Sequence, residues 1–216
     1  MPDPDDFFPF AGREEAFEDI RKYGRHGLHP VLLGDILPKP STCVSQPNKP
    51  PRYRIHLKIG FGAFSIVWLA FDLQTKSDTH HWFFNIRTKI TDMGIRPRRF
   101  VSVKICQGSE SPKPDTEATL LQHIKDNPKP GSENTIDLYD SFVVRGPNGY
   151  HGCLVTEVVI PLGTLGADGS RLESLYNPRS VIEQVARGFA YLHTQGIAHG
   201  GKQPRGSNAI QARSRS

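Results

Sequence analysis

The sequence predicts an α+β fold: five strands, one amphipathic helix between the third and fourth, and two more helices behind them. Three observations carry this. A turn containing Gly60 and Gly62 separates two stretches of strand-like sequence. A lysine, Lys104, stands inside an apolar strand and is followed by a helix whose apolar stripe includes Glu117. Two further apolar stretches meet across Gly146-Pro147-Asn148-Gly149, a good hairpin connection.

In the first strand Tyr53, Ile55, Leu57 and Ile59 alternate with Arg54, His56 and Lys58, the period of a half-buried strand. The return strand is Ile66 to Phe71. Between them Gly60, Phe61, Gly62, Ala63, Phe64 and Ser65 form a turn whose glycines lack Cβ. The backbone there can approach a ligand closely and aim its N–H groups at phosphate oxygens. A dinucleotide-binding fold needs a helix directly after such glycines, and the aromatic and β-branched residues that follow exclude it.

The third strand, Phe100 to Ile105, sets Val101, Val103 and Ile105 on one face and Ser102 and Lys104 on the other. Asp115 or Thr116 then caps a helix that runs to Asp126 and stops at Asn127-Pro128. On it Glu117, Leu120, Leu121 and Ile124 share a stripe. A carboxylate facing the core asks for a cation, and Lys104 is the one available. The fourth and fifth strands are Ile136 to Val144 and Gly152 to Val159. Leu172 to Tyr176 reads as a short helix. A longer one starts at Asn177-Pro178, buries Val181, Ile182, Val185, Phe189 and Leu192, and ends at Gly196.

The chain has 216 residues, 37% of them hydrophobic, and no apolar run near the roughly 20 residues of a membrane helix. Its start, Met1 to Asp19, is acidic and aromatic and lacks the form of a signal peptide, so a cytoplasmic or nuclear location is expected. Cys43, Cys106 and Cys153 are scattered, which argues against a disulfide framework or a metal site. The net charge of +5 comes from Arg87–Arg99 and Lys202–Arg215, and neither run is interleaved with aromatics. Nucleic-acid binding is therefore unsupported.

Residues 1–51 read as a leader. Phe7, Phe8 and Phe10 could dock on a surface, Glu14 to Lys22 could form a short helix, and Pro38, Pro40, Pro47, Pro50 and Pro51 mark a linker that ends near Arg52. The segment 75–97 fits neither helical nor strand periodicity. Its paired His80 and His81 have no neighbouring ligand partner, so it reads as a loop insertion. Leader and insertion are both expected to be dispensable.

Together, Ile59-Gly-Phe-Gly-Ala-Phe-Ser-Ile-Val67, Val101-Ser-Val-Lys104 and Glu117 resemble the glycine loop, the third-strand lysine and the helix-C glutamate of eukaryotic protein kinases. With Val67-Trp68-Leu69-Ala70 the loop resembles that of fungal-type SR-protein kinases, serine/threonine kinases that act on Arg-Ser repeats. The likeness runs from about Arg52 to His199. It implies an antiparallel five-stranded small lobe with helix C, followed by the first two helices of a large lobe. The implied cofactor is ATP, with Mg2+. Ile59, Gly60, Phe61, Gly62, Ala63, Phe64, Ser65, Val67 and Ser102 would surround the nucleotide. Lys104 would hold the α- and β-phosphates and Glu117 would orient it. Thr156 would be the gatekeeper, and Glu157 to Val159 the hinge whose backbone bonds adenine. The implied partners are Arg-Ser-rich proteins.

After the last helix the family has His-Arg-Asp or His-Gly-Asp. This chain reads Ile197-Ala198-His199-Gly200-Gly201-Lys202, with Gly201 at the position of the catalytic Asp. No metal-holding Asn or Asp-Phe-Gly follows, and 201–216 is a polar tail ending Arg213-Ser214-Arg215-Ser216. The expectation is a large lobe cut short, without metal ligands or phosphotransfer. Three readings stand: a kinase by family, a noncatalytic nucleotide- or protein-binding module, and a truncated product of a kinase gene.

Overall fold

The computed structural model describes residues 19–76, 98–113, 115–159 and 178–197. The acidic start, nearly all of the 75–97 insertion, the expected helix over Leu172 to Tyr176, His199 to Gly201 and the tail lie outside these.

Six strands form one antiparallel sheet: β1 (Ile36–Leu37), β2 (Tyr53–Phe61), β3 (Ser65–Lys76), β4 (Arg98–Cys106), β5 (Leu138–Gly146) and β6 (Gly149–Thr156), in the order β1-β2-β3-β4-β6-β5. Among the described residues two α-helices accompany them, α1 (Thr116–Asp126) and α2 (Pro178–Thr194). The α+β reading and the helix that follows the lysine strand stand. The strand count of five is corrected to six.

The sixth strand comes from the leader, because its apolar residues have somewhere to go. Leu28, Leu37 and Cys43 are buried in the same core as Tyr53, Ile55, Ile66, Trp68, Ala70, Val101, Val103, Ile105, Phe142, Val144 and Val155. Ile36 and Leu37 pair with Arg54 and Tyr53 at one edge of the sheet. A few residues on, Cys43 bridges to Val144 on β5, the opposite edge strand. Ser45 Oγ accepts from the Val143 N–H at 2.9 Å, and Gln46 Nε2 donates to the Ser141 carbonyl at 3.0 Å. The sheet is thus curled, with leader residues spanning the gap between its edges. Leader residues between Leu28 and Gln46 thus pack against the sheet.

Polar groups fix this closure. Tyr53 Oη donates to Asp140 Oδ2 at 2.5 Å, and Lys49 Nζ lies 2.8 Å from the same oxygen. Arg52 makes a two-bond fork to the buried Asp72, at 2.8 and 2.7 Å. Asn148, at the tip of the β5–β6 hairpin, reaches back and donates to the Leu28 carbonyl at 2.6 Å. Burial first, and then the bond to Asp140, pushes the Tyr53 phenol well above its ordinary range.

A second, smaller core forms between the helices and β5/β6, from Ala118, Leu121, Ile124, Leu138, Leu154 and Tyr191. Two pattern-based expectations need correction. Tyr53 and Ile55 are buried, but Leu57 and Ile59 are exposed, because register shifts after Ile55 and after Lys58 rotate the strand out of its alternation. On α2, Ile182 is 68% exposed. That helix instead turns Gly188 and Tyr191 inward, where a Cβ on Gly188 would sit 3.2 Å from the Asn134 carbonyl oxygen.

Candidate functional site

Cross-strand register sorts the expected site residues onto the sheet face opposite the main core. Val67 pairs with Lys104, Leu69 with Ser102, and Ser102 with Thr156. Residues directly opposite each other project to the same side. Gly60 pairs with Val67, so it faces the same side. The hairpin closes through the Gly62 N–H, which donates to the Ser65 carbonyl at 2.8 Å, with Ala63 and Phe64 at its tip. Ile59, Phe61, Ala63 and Phe64 are exposed, and Ser65 and Val67 are half-buried.

Neither Gly60 nor Gly62 has a positive φ. A Cβ on Gly62 would meet nothing within 4 Å, and one on Gly60 only Val67 at 3.9 Å. The fold itself does not demand glycine here. Space over the hairpin is what these two residues provide.

Lys104 Nζ bonds Glu117 Oε2. Local sequence explains why they meet. Lys104 and Cys106 are two apart on one face of β4, and Asp115 and Glu117 are two apart where α1 begins. Asp115 Oδ1 caps the helix, accepting from Glu117 N at 2.8 Å and Ala118 N at 3.4 Å, while its Oδ2 accepts from the Cys106 thiol at 3.1 Å. The capping carboxylate therefore fastens the first turn of α1 to the end of β4. A Cβ on Gly152 would lie 3.2 Å from Asp115 Cβ, so the glycine on β6 keeps room for it.

The charges follow from this geometry. Burial acts to lower the Lys104 pKa, but the hydrogen bond and charge of Glu117 outweigh it and hold the ammonium above its ordinary value. Burial, then the bond to Asp115, pushes the Cys106 thiol up to about 12, so it is an inert donor. The Cys106–Asp115 clasp was not anticipated from sequence; the parallel two-residue spacings were the signal that could have found it.

At the far end of the face, Ser102 and Thr156 are buried and Thr156 Oγ1 donates to the Glu157 carbonyl at 3.1 Å. Glu157 is tied to Asp137 through its N–H, which donates to the Asp137 carbonyl at 3.2 Å, and its carboxylate, which accepts from the Asp137 N–H at 2.9 Å. Val159 is half-buried just beyond. The structure thus brings Val67, Ser102, Lys104 and Thr156 to one face, the face Gly60 shares, with Glu117 bonded to Lys104 there. No cluster of metal-ligating side chains occurs among the described residues.

No family model matches the chain. It is similar to human SRSF protein kinase 3, 30% identical over 188 residues, which are 84% of this chain and 27% of that protein. Serine/threonine-protein kinase spk-1 of Caenorhabditis elegans is 31% identical over 86% of the chain and 16% of its own length. Protein kinase dsk1 of Schizosaccharomyces pombe is 30% identical over 88% of the chain and 30% of its own length. The chain thus spans less than a third of each of these relatives. A crystal structure of a kinase domain aligns with a TM-score of 0.46 at 15% identity, covering 77% of this chain and 38% of that one. Across 84 to 88% of its length, the chain is homologous to the SRPK family of protein kinases.

Proposed function

We propose that this chain is a nucleotide-binding kinase small lobe of SR-protein-kinase type that holds ATP and, with Gly201 where a catalytic Asp is expected, transfers no phosphoryl group by itself. One observation carries the binding half of this reading. A clamped Lys104–Glu117 pair lies on the sheet face that Gly60 shares, and the glycines of the hairpin leave open space rather than serving a turn or a packing contact. Lys104, fixed by Glu117, presents its charge to the α- and β-phosphates, while hairpin N–H groups cover them. Ile59, Val67 and Ser102 form the apolar and small-residue side of the adenine slot. Thr156 and the Glu157 to Val159 backbone close its inner edge. The unit takes in the packed residues from Asp19 onward together with the kinase-like stretch 52–200, and 75–97 is an insertion in it.

The inactive half rests on chemistry. In this class of reaction an Asp orients the attacking hydroxyl, and metal ions neutralise the charge on the transferring group. Lys104 and the glycine hairpin contact phosphates in ground and transition states alike, so they serve binding more than rate. ATP in its Mg2+ form is the proposed ligand, and Arg-Ser-rich proteins are the substrate class of the lineage. The test is an assay of purified chain with ATP, Mg2+ and an Arg-Ser-repeat peptide, with Lys104→Met as background. The expected result is no phosphotransfer above that background. Activity abolished by the substitution would show a catalytic site that this reading lacks.

A further inference from the structure

Beside the tip of the glycine hairpin lies a cavity of about 290 Å³ that the nucleotide reading does not use. Arg21, Lys22 and Arg25 of the leader line it together with Leu28, Ala63 and Phe64. Arg21 is engaged by Asp19 at 2.9 Å. Lys22 and Arg25 form no salt bridge among the described residues, although the Lys22 charge acts on Asp19, and Phe64 is 73% exposed. The tip is held in place, since the Phe64 carbonyl accepts from the Gln107 N–H at 2.7 Å. With three cations lining it and Asp19 the carboxylate beside them, the cavity offers an excess of positive charge next to a fixed apolar surface. An occupant that complements it carries carboxylates and aromatic rings together.

The chain itself contains such a segment. Asp3, Asp5 and Asp6 precede Phe7, Phe8 and Phe10, and no Lys or Arg occurs before Arg13. Pro4 and Pro9 oppose helix formation and favour an extended peptide. The segment is tethered at Asp19, immediately before the cationic lining. At about 3.3 Å per extended residue, the stretch from Phe10 to Asp19 is long enough to return to the cavity. Tethering makes docking intramolecular, so weak contacts suffice to populate it. We propose that Asp3–Phe10 docks in this cavity in cis, its carboxylates on Lys22 and Arg25 and an aromatic ring against Phe64.

The test uses the full chain, mixed as isotope-labelled and unlabelled copies, with a zero-length carbodiimide cross-linker and mass-spectrometric mapping. The expected product joins Lys22 to Asp3, Asp5 or Asp6 within one copy. Arg25→Glu and Phe64→Ser, both at exposed positions, should each lower its yield about fivefold, the scale of one surface contact. Lys22→Glu combined with Asp6→Lys should restore a link of reversed polarity. The proposal is overturned if Lys22 couples only to Asp19 or to nothing. It is equally overturned if the link forms only between copies, which would assign the cavity to a second chain, or if the yield ignores both substitutions. None of these readouts depends on ATP, so they fail or succeed separately from the proposed nucleotide site.

Discussion

Two lysine–carboxylate pairs, one associated with each face of the sheet, do opposite work. Lys49–Asp140 closes the leader over the main core, with side chains 11% and 12% exposed, and Asp140 also holds the Tyr53 hydroxyl. Lys104–Glu117 lies on the open face, with side chains 29% and 48% exposed. The first is enclosed in the fold and has no freedom to exchange partners. The second has water beside it, so Glu117 can hold Lys104 in position while the ammonium meets another anion. A buried pair is costly to break because the survivor is left charged without a partner; a half-exposed pair is not.

The largest effect should follow from breaking the enclosed pair. Asp140→Ala strands Lys49 and the Tyr53 hydroxyl, and chemical denaturation should show a loss of about 3–5 kcal/mol. A loss below 1 kcal/mol would mean that the leader is not part of the core.

Acidification should weaken the same side of the molecule. His29 is buried with its Nδ1 unpartnered among the described residues, and its ring lies 4.6 Å from that of His151. Burial first, then the neighbouring His151, lowers its pKa from 6.5 to about 4; Lys39 lowers it further and Asp35 opposes the shift. A folded-state pKa below the unfolded one means that the unfolded chain binds the proton first. Stability is therefore full above pH 6.5 and declines as pH falls toward 4, by roughly 3 kcal/mol. His29→Gln should flatten that part of the pH–stability curve, and an unchanged slope would remove His29 from the explanation.

Gly152→Val tests the junction between the two sides. Its side chain would displace Asp115, loosen the cap on α1 and unfasten it from Cys106, costing about 1–3 kcal/mol. Lys104 should then lose its orientation with no change to its own sequence. Amide exchange at Glu117 and Ala118, whose N–H groups the cap holds, should rise first.

Legibility in the sequence divided along similar lines. Lys104 and Glu117 were readable because each broke an apolar pattern, and a charge on a buried stripe demands a partner. The hairpin at Pro147-Asn148 and the Asp115 cap were readable from turn and cap chemistry. What stayed hidden depended on the curl of the sheet. Nothing local tells that Leu28, Leu37 and Cys43 fill a gap between β2 and β5, and prolines around them read as linker. Leu57, Ile59 and Ile182 were misplaced because periodicity assumes a regular element. Register shifts in β2 break that assumption, and on α2 the inward face follows from Gly188 and Tyr191.

The smallest structural effect should accompany the largest functional one, and this measurement bears most directly on the central claim. Lys104→Met removes a half-exposed charge, so the denaturation midpoint should move by no more than about 1 kcal/mol in stability. Calorimetric titration of the same preparation with Mg2+-ATP should show affinity reduced about tenfold or more, as expected for losing a charge-assisted contact to phosphate. Weakened binding by a chain of unchanged stability is the result predicted for a nucleotide site on the open face. Equal affinity in the two proteins, or a collapse of stability on the scale of Asp140→Ala, would contradict it.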